Sequence, residues 1–154
     1  MAAIALVGLV ADQASKVWAL QELADGHRIP IASDLLSLRL IRNSGAAFSL
    51  GNEVTWAMTA LAVVITVGII WTARRLTHPG WAVAFGLILA GSFGNLIDRF
   101  FREPGPGRGH VIDFIDYAGY FVGNVADIWI VVGAILVVAL MIRDVPLGRP
   151  KGAT

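Results

Sequence analysis

Two aspartates set among apolar residues are the strongest candidates for chemistry: Asp113 in Val111-Ile112-Asp113-Phe114-Ile115-Asp116 and Asp127 in Val125-Ala126-Asp127-Ile128-Trp129. Two carboxyls that share a low-dielectric pocket cannot both ionise readily, so one keeps a proton while its neighbour stays anionic. Such a pair can polarise a peptide carbonyl with the acid and activate a water with the base. It titrates as a unit. Asp127 has no Lys or Arg within four residues and no evident local partner. An intramembrane carboxylate of that kind is a functional candidate by default. Sequence separation alone proves nothing here. The pair matters only if the topology brings both residues to one depth.

The chain that must position them has 154 residues, of which 56% are hydrophobic and 15% charged, with a mean hydropathy of +0.71. A soluble domain carries about 25% charge, so this chain lacks the polar surface of a water-soluble globule. The absence of cysteine excludes a disulfide scaffold, Cys-ligated zinc and thiol catalysis. A formal charge of +1 gives no electrostatic case for nucleic acid. One integral membrane unit remains, 1–154, an all-α membrane protein with helices over about 1–20, 54–73, 80–98 and 120–142 and long connections over 21–53 and 99–119. Val54–Ala73 is free of charge throughout, and Tyr117–Ile142 carries only Asp127. Met1–Ala11 lacks the basic flank and cleavage site of a signal peptide and reads as part of the first span.

Basic residues orient the spans. Arg74, Arg75, Arg143, Arg149 and Lys151 fall within the 20 residues of the 73–80 link and the 143–154 tail, whereas the outer stretches Gln21–Glu53 and Asp98–Tyr120 carry six Arg in 56 residues. The denser side is expected to be cytoplasmic, with both termini inside and both long connections outside. Helices 1 and 3 then run outward and helix 4 inward. This brings Asp12, Lys16, Asn43, Asn95, Asp98, Arg99, Asp113, Asp116, Asn124 and Asp127 to the level of the outer leaflet. In the outer connections Leu36–Leu40 alternates like a half-buried strand, and Arg102–Gly109, rich in Pro and Gly, must be a loop. A short echo relates Gly94-Asn95-x-x-Asp98 to Gly123-Asn124-x-x-Asp127 and places an Asn and an Asp on one face of two helices.

Each of these residues also has a structural reading. Asp12 and Lys16, four apart on one helix, neutralise each other. Asn95 and Asn124 suit interhelical hydrogen bonds, and Asp98 and Arg99 suit a helix end at the interface. Two other chemistries start from the same residues: a proton-coupled small-solute carrier built on the intramembrane acids, and a serine peptidase with Lys16 as base and Ser44, Ser49 or Ser92 as nucleophile. A metal site lacks ligands, since His27, His78 and His110 are scattered.

Five blocks, in order, resemble the bacterial lipoprotein signal peptidases (signal peptidase II): Asp12-Gln13-Ala14-Ser15-Lys16, Asn43-Ser44-Gly45-Ala46-Ala47-Phe48-Ser49, Gly94-Asn95-Leu96-Ile97-Asp98-Arg99, Gly109–Asp116 and Asn124-Val125-Ala126-Asp127. The resemblance covers nearly the whole chain. It implies an aspartic endopeptidase with Asp113 and Asp127 as catalytic pair, and Asn43, Gly45, Asn95, Asp98, Arg99 and Asn124 shaping the substrate site. Asp12 and Lys16 would support the fold. It also implies four helices with a small extracytoplasmic sheet and a short outer amphipathic helix. The implied substrate is a diacylglyceryl-prolipoprotein cut just before its lipidated cysteine, without cofactor or metal, by a monomer among the lipids of the bacterial cytoplasmic membrane. Two departures stand out. Gly123 occupies a position where the family usually has Phe, which leaves looser packing or a space for Phe121, and the stretch between Arg99 and Gly109 is long.

Overall fold

A computed structural model describes residues 1–45 and 52–148, with 52–54 through their backbone only. The Ala46-Ala47-Phe48-Ser49 part of the second motif, and Arg149 and Lys151 of the basic tail, lie outside the described residues. Helices α1 (Ala2–Glu22), α2 (Asn52–Ala73), α3 (Pro79–Phe101) and α4 (Val125–Ile142) are each long and apolar enough to cross a bilayer. Lipid offers the backbone no hydrogen bonds, so apolar stretches of this length satisfy their own polar groups as helices. Strands β1 (Ile29–Ala32), β2 (Leu36–Asn43), β3 (Val111–Tyr117) and β4 (Phe121–Gly123) form one antiparallel sheet in the order β1-β2-β3-β4. This is the four-helix membrane protein with a small sheet that the sequence implies. Among the described residues there is no separate short amphipathic helix. Arg102–Gly109, expected to be a loop, forms successive turns, with Gly109 N–H donating to the Arg99 carbonyl and His110 N–H to that of Glu103.

Helix α3 is the central element, packed between α1 and α4 and also against α2. Small residues make the approach to α4 close. A Cβ on Gly91 would run into the Ala126 carbonyl, and one on Gly133 would meet Ile88 and the Ala84 carbonyl. Without a hydrophobic drive between helices in lipid, such close backbone packing supplies much of the association. The faces turned away from α3 expose apolar side chains, among them Val64, Val67 and Trp71 on α2 and Val131, Ile135 and Val138 on α4. Those faces suit lipid.

The sheet sits over one end of the bundle. Phe114 of β3 packs on Ala19 and Leu23 at the end of α1, and Trp18 meets Phe114 edge to face. The opposite end gathers the α2–α3 link and the end of the described chain, where Thr77 N–H donates to the Leu147 carbonyl. A register shift between Leu38 and Ile41 brings Ile41 opposite Asp113 and Asn43 opposite Val111. The fourth helix differs from its expected start near residue 120. Phe121–Gly123 pairs with Tyr117–Ile115, and the helix begins only after Asn124. The physical reason is the capping box: the Asn124 side chain accepts from Asp127 N–H while the Asp127 side chain accepts from Asn124 N–H.

The Gly91 contact yields a stability prediction. Gly91→Val forces a side chain into the Ala126 backbone and is expected to cost about 1–3 kcal/mol, read as a lower thermal midpoint in detergent. Gly68→Ala, at a helical position with no heavy atom within 4 Å of the added Cβ, is the matched control and should not lower it.

Candidate active site

A lysine ammonium buried at bilayer depth needs anions, and Lys16 has two. Its Nζ lies 3.0 Å from Asp12 Oδ2 on its own helix and 2.8 Å from Asp98 Oδ2 on α3, with all three side chains fully buried. Its third proton goes to Asn95 Oδ1 at 3.0 Å. Asp12 reaches further and accepts from Ala126 N–H at 2.9 Å, one of the free donors at the start of α4. Gly94 makes the approach possible, since any Cβ there would collide with the Asp12 carboxylate. Asp98 also accepts from Arg102 Nε at 2.6 Å and from Ile112 N–H at 3.1 Å. One charge cluster thus ties α1, α3, β3 and α4 together.

The cluster fixes the orientation of the asparagines. Lys16 can only donate, so Asn95 turns its oxygen to Lys16 and its NH2 to Asp127 Oδ1, 3.0 Å away. The Asp127 backbone N–H can only donate, so Asn124 presents Oδ1 to it. The Asn124 NH2 then points at Asp113 Oδ1, at 2.6 Å, and at Asn95 Oδ1, at 3.3 Å. Asp113 takes a second bond from Asn43 Nδ2 at 2.7 Å, and Asn43 Oδ1 is held in turn by Gly45 N–H. Burial lifts the Asp113 carboxyl to about 6; the amides of Asn43 and Asn124 pull it down, and the Asp127 charge pushes it up.

Both aspartates line one cavity of about 350 Å³ beneath the sheet, together with Asn43, Gly45, Asn95 and Arg99. Arg99 donates to the carbonyls of Asn43, at 3.2 Å, and Gly109, at 3.0 Å, and so pins β2 and the turn before β3 to α3. Gly45 adopts φ +85 with the Arg99 guanidinium against it, a conformation and a space that both favour glycine. Of the expected site residues, Asp113, Asp127, Asn43, Gly45, Asn95 and Arg99 meet at the cavity, and Asn124 bridges the two carboxyls from behind. Asp98 does not line it; its carboxylate is turned to Lys16, Arg102 and Ile112. Asp116 is held by Arg39 and by Gly119 N–H and also lies away from the cavity. Asp127 is not the locally unpartnered acid of the sequence reading. It is the third residue of α4 and is closed into the capping box with Asn124. The Asn-x-x-Asp echo therefore falls on one helical face only in α3.

Several cavity residues escaped the sequence reading, notably Met58, Thr59 and Ala62 of α2, and Phe121 of β4 entered it only as a filler beside Gly123. The available signal was Thr55 and Thr59, four apart in an uncharged span whose other hydroxyls, Thr66 and Thr72, lie further along it. Thr59 Oγ1 donates to the Gly107 carbonyl at 2.9 Å and fastens α2 to the Pro/Gly turns. The serine–lysine alternative finds no support in the geometry. Lys16 is fully engaged by three acceptors, Ser15 donates to the Asp12 carbonyl at 2.7 Å, and Ser49 lies outside the described residues. Among the described residues no three His, Asp or Glu side chains cluster as metal ligands.

Comparison with known proteins places this arrangement. The family described as signal peptidase (SPase) II matches residues 4–143. The chain belongs to the signal peptidase II family. Proteins named lipoprotein signal peptidase are similar to it: that of Mycobacterium avium (strain 104) is 50% identical over 139 residues, covering 90% of this chain and 76% of the relative. That of Rhodococcus jostii (strain RHA1) is 45% identical over 150 residues, covering 97% and 76%. Two solved structures described as bacterial membrane enzymes superpose with TM-scores of 0.80 and 0.77, at 24% and 25% identity. The first covers 92% of this chain and 91% of its own, the second 98% and 92%. As a signal peptidase II the chain is a multi-pass membrane peptidase.

The departure from the family pattern at Gly123 has a visible counterpart. A Cβ at 123 would stand 2.7 Å from Phe121 Cε1 and 3.0 Å from Asp127 Oδ2. The Phe121 ring therefore fills the space that a side chain at 123 would take.

Removing the Lys16 ammonium leaves Asp12 buried without its cation and Asp98 with Arg102 alone. Lys16→Met is expected to destabilise by about 3–5 kcal/mol, measured by denaturation in detergent. An unchanged midpoint would contradict the clamp.

Proposed function

We propose that the protein removes signal peptides from diacylglyceryl-prolipoproteins, cutting before the lipidated cysteine, with Asp113 and Asp127 as catalytic pair and one water as nucleophile. The observation that carries the reading is the convergence of both carboxyls on one cavity, held by donors whose directions are fixed. Family membership and the naming of the relatives as lipoprotein signal peptidases support the substrate class.

In this reading the resting pair holds a single proton on Asp113, in keeping with the upward push of burial. Asp127 sits in the first turn of α4 and accepts from Asn95 and from Asn124 N–H, surroundings that suit a carboxylate. Asp127 takes a proton from the water as its oxygen attacks the scissile carbonyl, and Asp113 gives its proton to the carbonyl oxygen. The tetrahedral adduct collapses when Asp127 returns the proton to the departing cysteine nitrogen and Asp113 recovers its own from the hydroxyl. The cycle leaves the pair as it began and requires no metal or cofactor. Asn43, Gly45, Asn95 and Arg99 shape the wall that receives the peptide, Asn124 aligns both acids, and Asp12 and Lys16 support them.

Orientation follows the basic residues. With Arg74, Arg75 and Arg143 at the end of the bundle away from the sheet, that end and both termini are cytoplasmic. The sheet and the cavity then face outward, at the level where the acyl chains and the scissile bond of a membrane-bound precursor meet. The protein works as a monomer in the bacterial cytoplasmic membrane.

Asp113→Asn and Asp127→Asn should each lower kcat for a diacylated precursor by at least about a thousandfold; full turnover by both single variants would refute the pair. A second expectation concerns pH. kcat/KM reports the free enzyme and should decline as pH rises through about 6, where Asp113 gives up its proton. The Asn43 amide favours the ionised carboxyl, so Asn43→Ala should move that decline to higher pH. A decline that stays in place in Asn43→Ala would mean that another group carries the proton.

A further inference from the structure

Phe121 borders several spaces, one beside Arg39 and Arg42 of β2 and two that reach Asp127. On one side is the cavity of the two aspartates, which has polar walls from Asn43, Asn95 and Arg99. On the other is a groove of about 350 Å³ along α4, lined by Tyr117, Phe121, Asp127, Ile128, Val131 and Val132. Ile128, Val131 and Val132 follow the three- and four-residue spacing of one helix face, and that face is part of the lipid-exposed surface of the bundle. Apart from the Asp127 carboxyl and the Tyr117 hydroxyl, the groove offers only hydrocarbon and aromatic contacts. It runs from the hydrocarbon side of the protein to a carboxyl of the pair. The Phe121 ring is propped by Tyr117, with centroids 5.9 Å apart and planes 22° from parallel, and it rests on the bare backbone of Gly123.

We propose that Phe121 is a specificity-determining residue whose ring separates the peptide-binding cavity from an acyl-chain site in the α4 groove. The inference rests on the lipoprotein-processing reading above. There the residue after the scissile bond carries its diacylglycerol only a few bonds from the reacting carbonyl. A chain leaving that residue beside Asp127 meets the groove directly, whereas the cavity sets amides and a guanidinium among Met58, Ala62, Leu96 and Val111 and so offers a peptide the polar partners that the groove lacks. The small residue at 123 is what allows the ring to stand there. A Cβ would push it aside, so Gly123 and Phe121 act together.

The test compares precursors with the same peptide and either palmitoyl-length or octanoyl-length diacylglycerol, using the full protein in nanodiscs. The wild type should prefer the longer chains in kcat/KM by at least about tenfold, the lower end of the scale on which apolar pockets discriminate, with the difference in KM. Phe121→Ala should reduce the preference to less than twofold. Val131→Trp blocks the groove from an exposed position on the lipid face and should reduce it equally, without touching the partition. If both variants bind substrate and keep the wild-type preference, the acyl-chain assignment is wrong while the peptidase reading stands. If the wild type cleaves neither precursor, the peptidase reading itself falls.

Discussion

A lysine cannot lie fully buried among membrane helices without anions close at hand, and Lys16 is satisfied by Asp12, Asp98 and the Asn95 oxygen. The remainder of the site follows from that requirement. Because Lys16 needs Asp98, the ends of α1 and α3 are held side by side. Because Asp98 also accepts from Ile112 N–H, the start of β3 is drawn down onto them, and Asp113 is the next residue. Because Asp12 accepts from Ala126 N–H, the first turn of α4 is brought to the same point, again one residue from the aspartate it must place. The charges do not perform the proposed chemistry. They decide where its carboxyls stand.

The asparagines carry this order the last few ångströms. Asn95 converts the ammonium into a donor aimed at Asp127, and Asn124 converts a helix cap into a donor aimed at Asp113. An amide has one acceptor and one donor end, and a fixed partner at either end settles both. Directed donors of this kind distinguish a prepared site from a pair of acids that happen to be neighbours. Arg99 and Gly45 play a related part at the opposite wall, where a guanidinium needs two carbonyls and a residue without a side chain beside it.

Much of this was legible in the sequence because membranes simplify the reading. Uncharged stretches such as Val54–Ala73 can only be spans, and each polar residue inside a span demands an explanation. The alternation at Leu36–Leu40 marked β2, although its leucines are only half-buried and the buried residue of the stretch is Ser37. Strand β3 was harder to read, since Val111, Ile112, Asp113 and Phe114 are all buried and show no alternation. The start of α4 was misplaced because Tyr120–Val122 is as apolar as the helix that follows, and only pairing with β3 claims it for the sheet. Asp127 looked solitary because sequence shows charge partners and not backbone ones. Asp98 was counted among the site-shaping residues through the resemblance, which carries a whole motif over at once, although neighbours on a helix point about 100° apart and Asp98 turns to Lys16 while Arg99 turns to the cavity.

The capping box at Asn124 ties two events that most proteins keep separate. The hydrogen bonds that nucleate the last transmembrane segment are the ones that aim Asp127 and, through the Asn124 amide, Asp113. An opening turn of α4 that is not wound leaves Asp127 without its backbone partner and Asp113 without the Asn124 amide, so the start of the helix and the alignment of the two carboxyls stand or fall together.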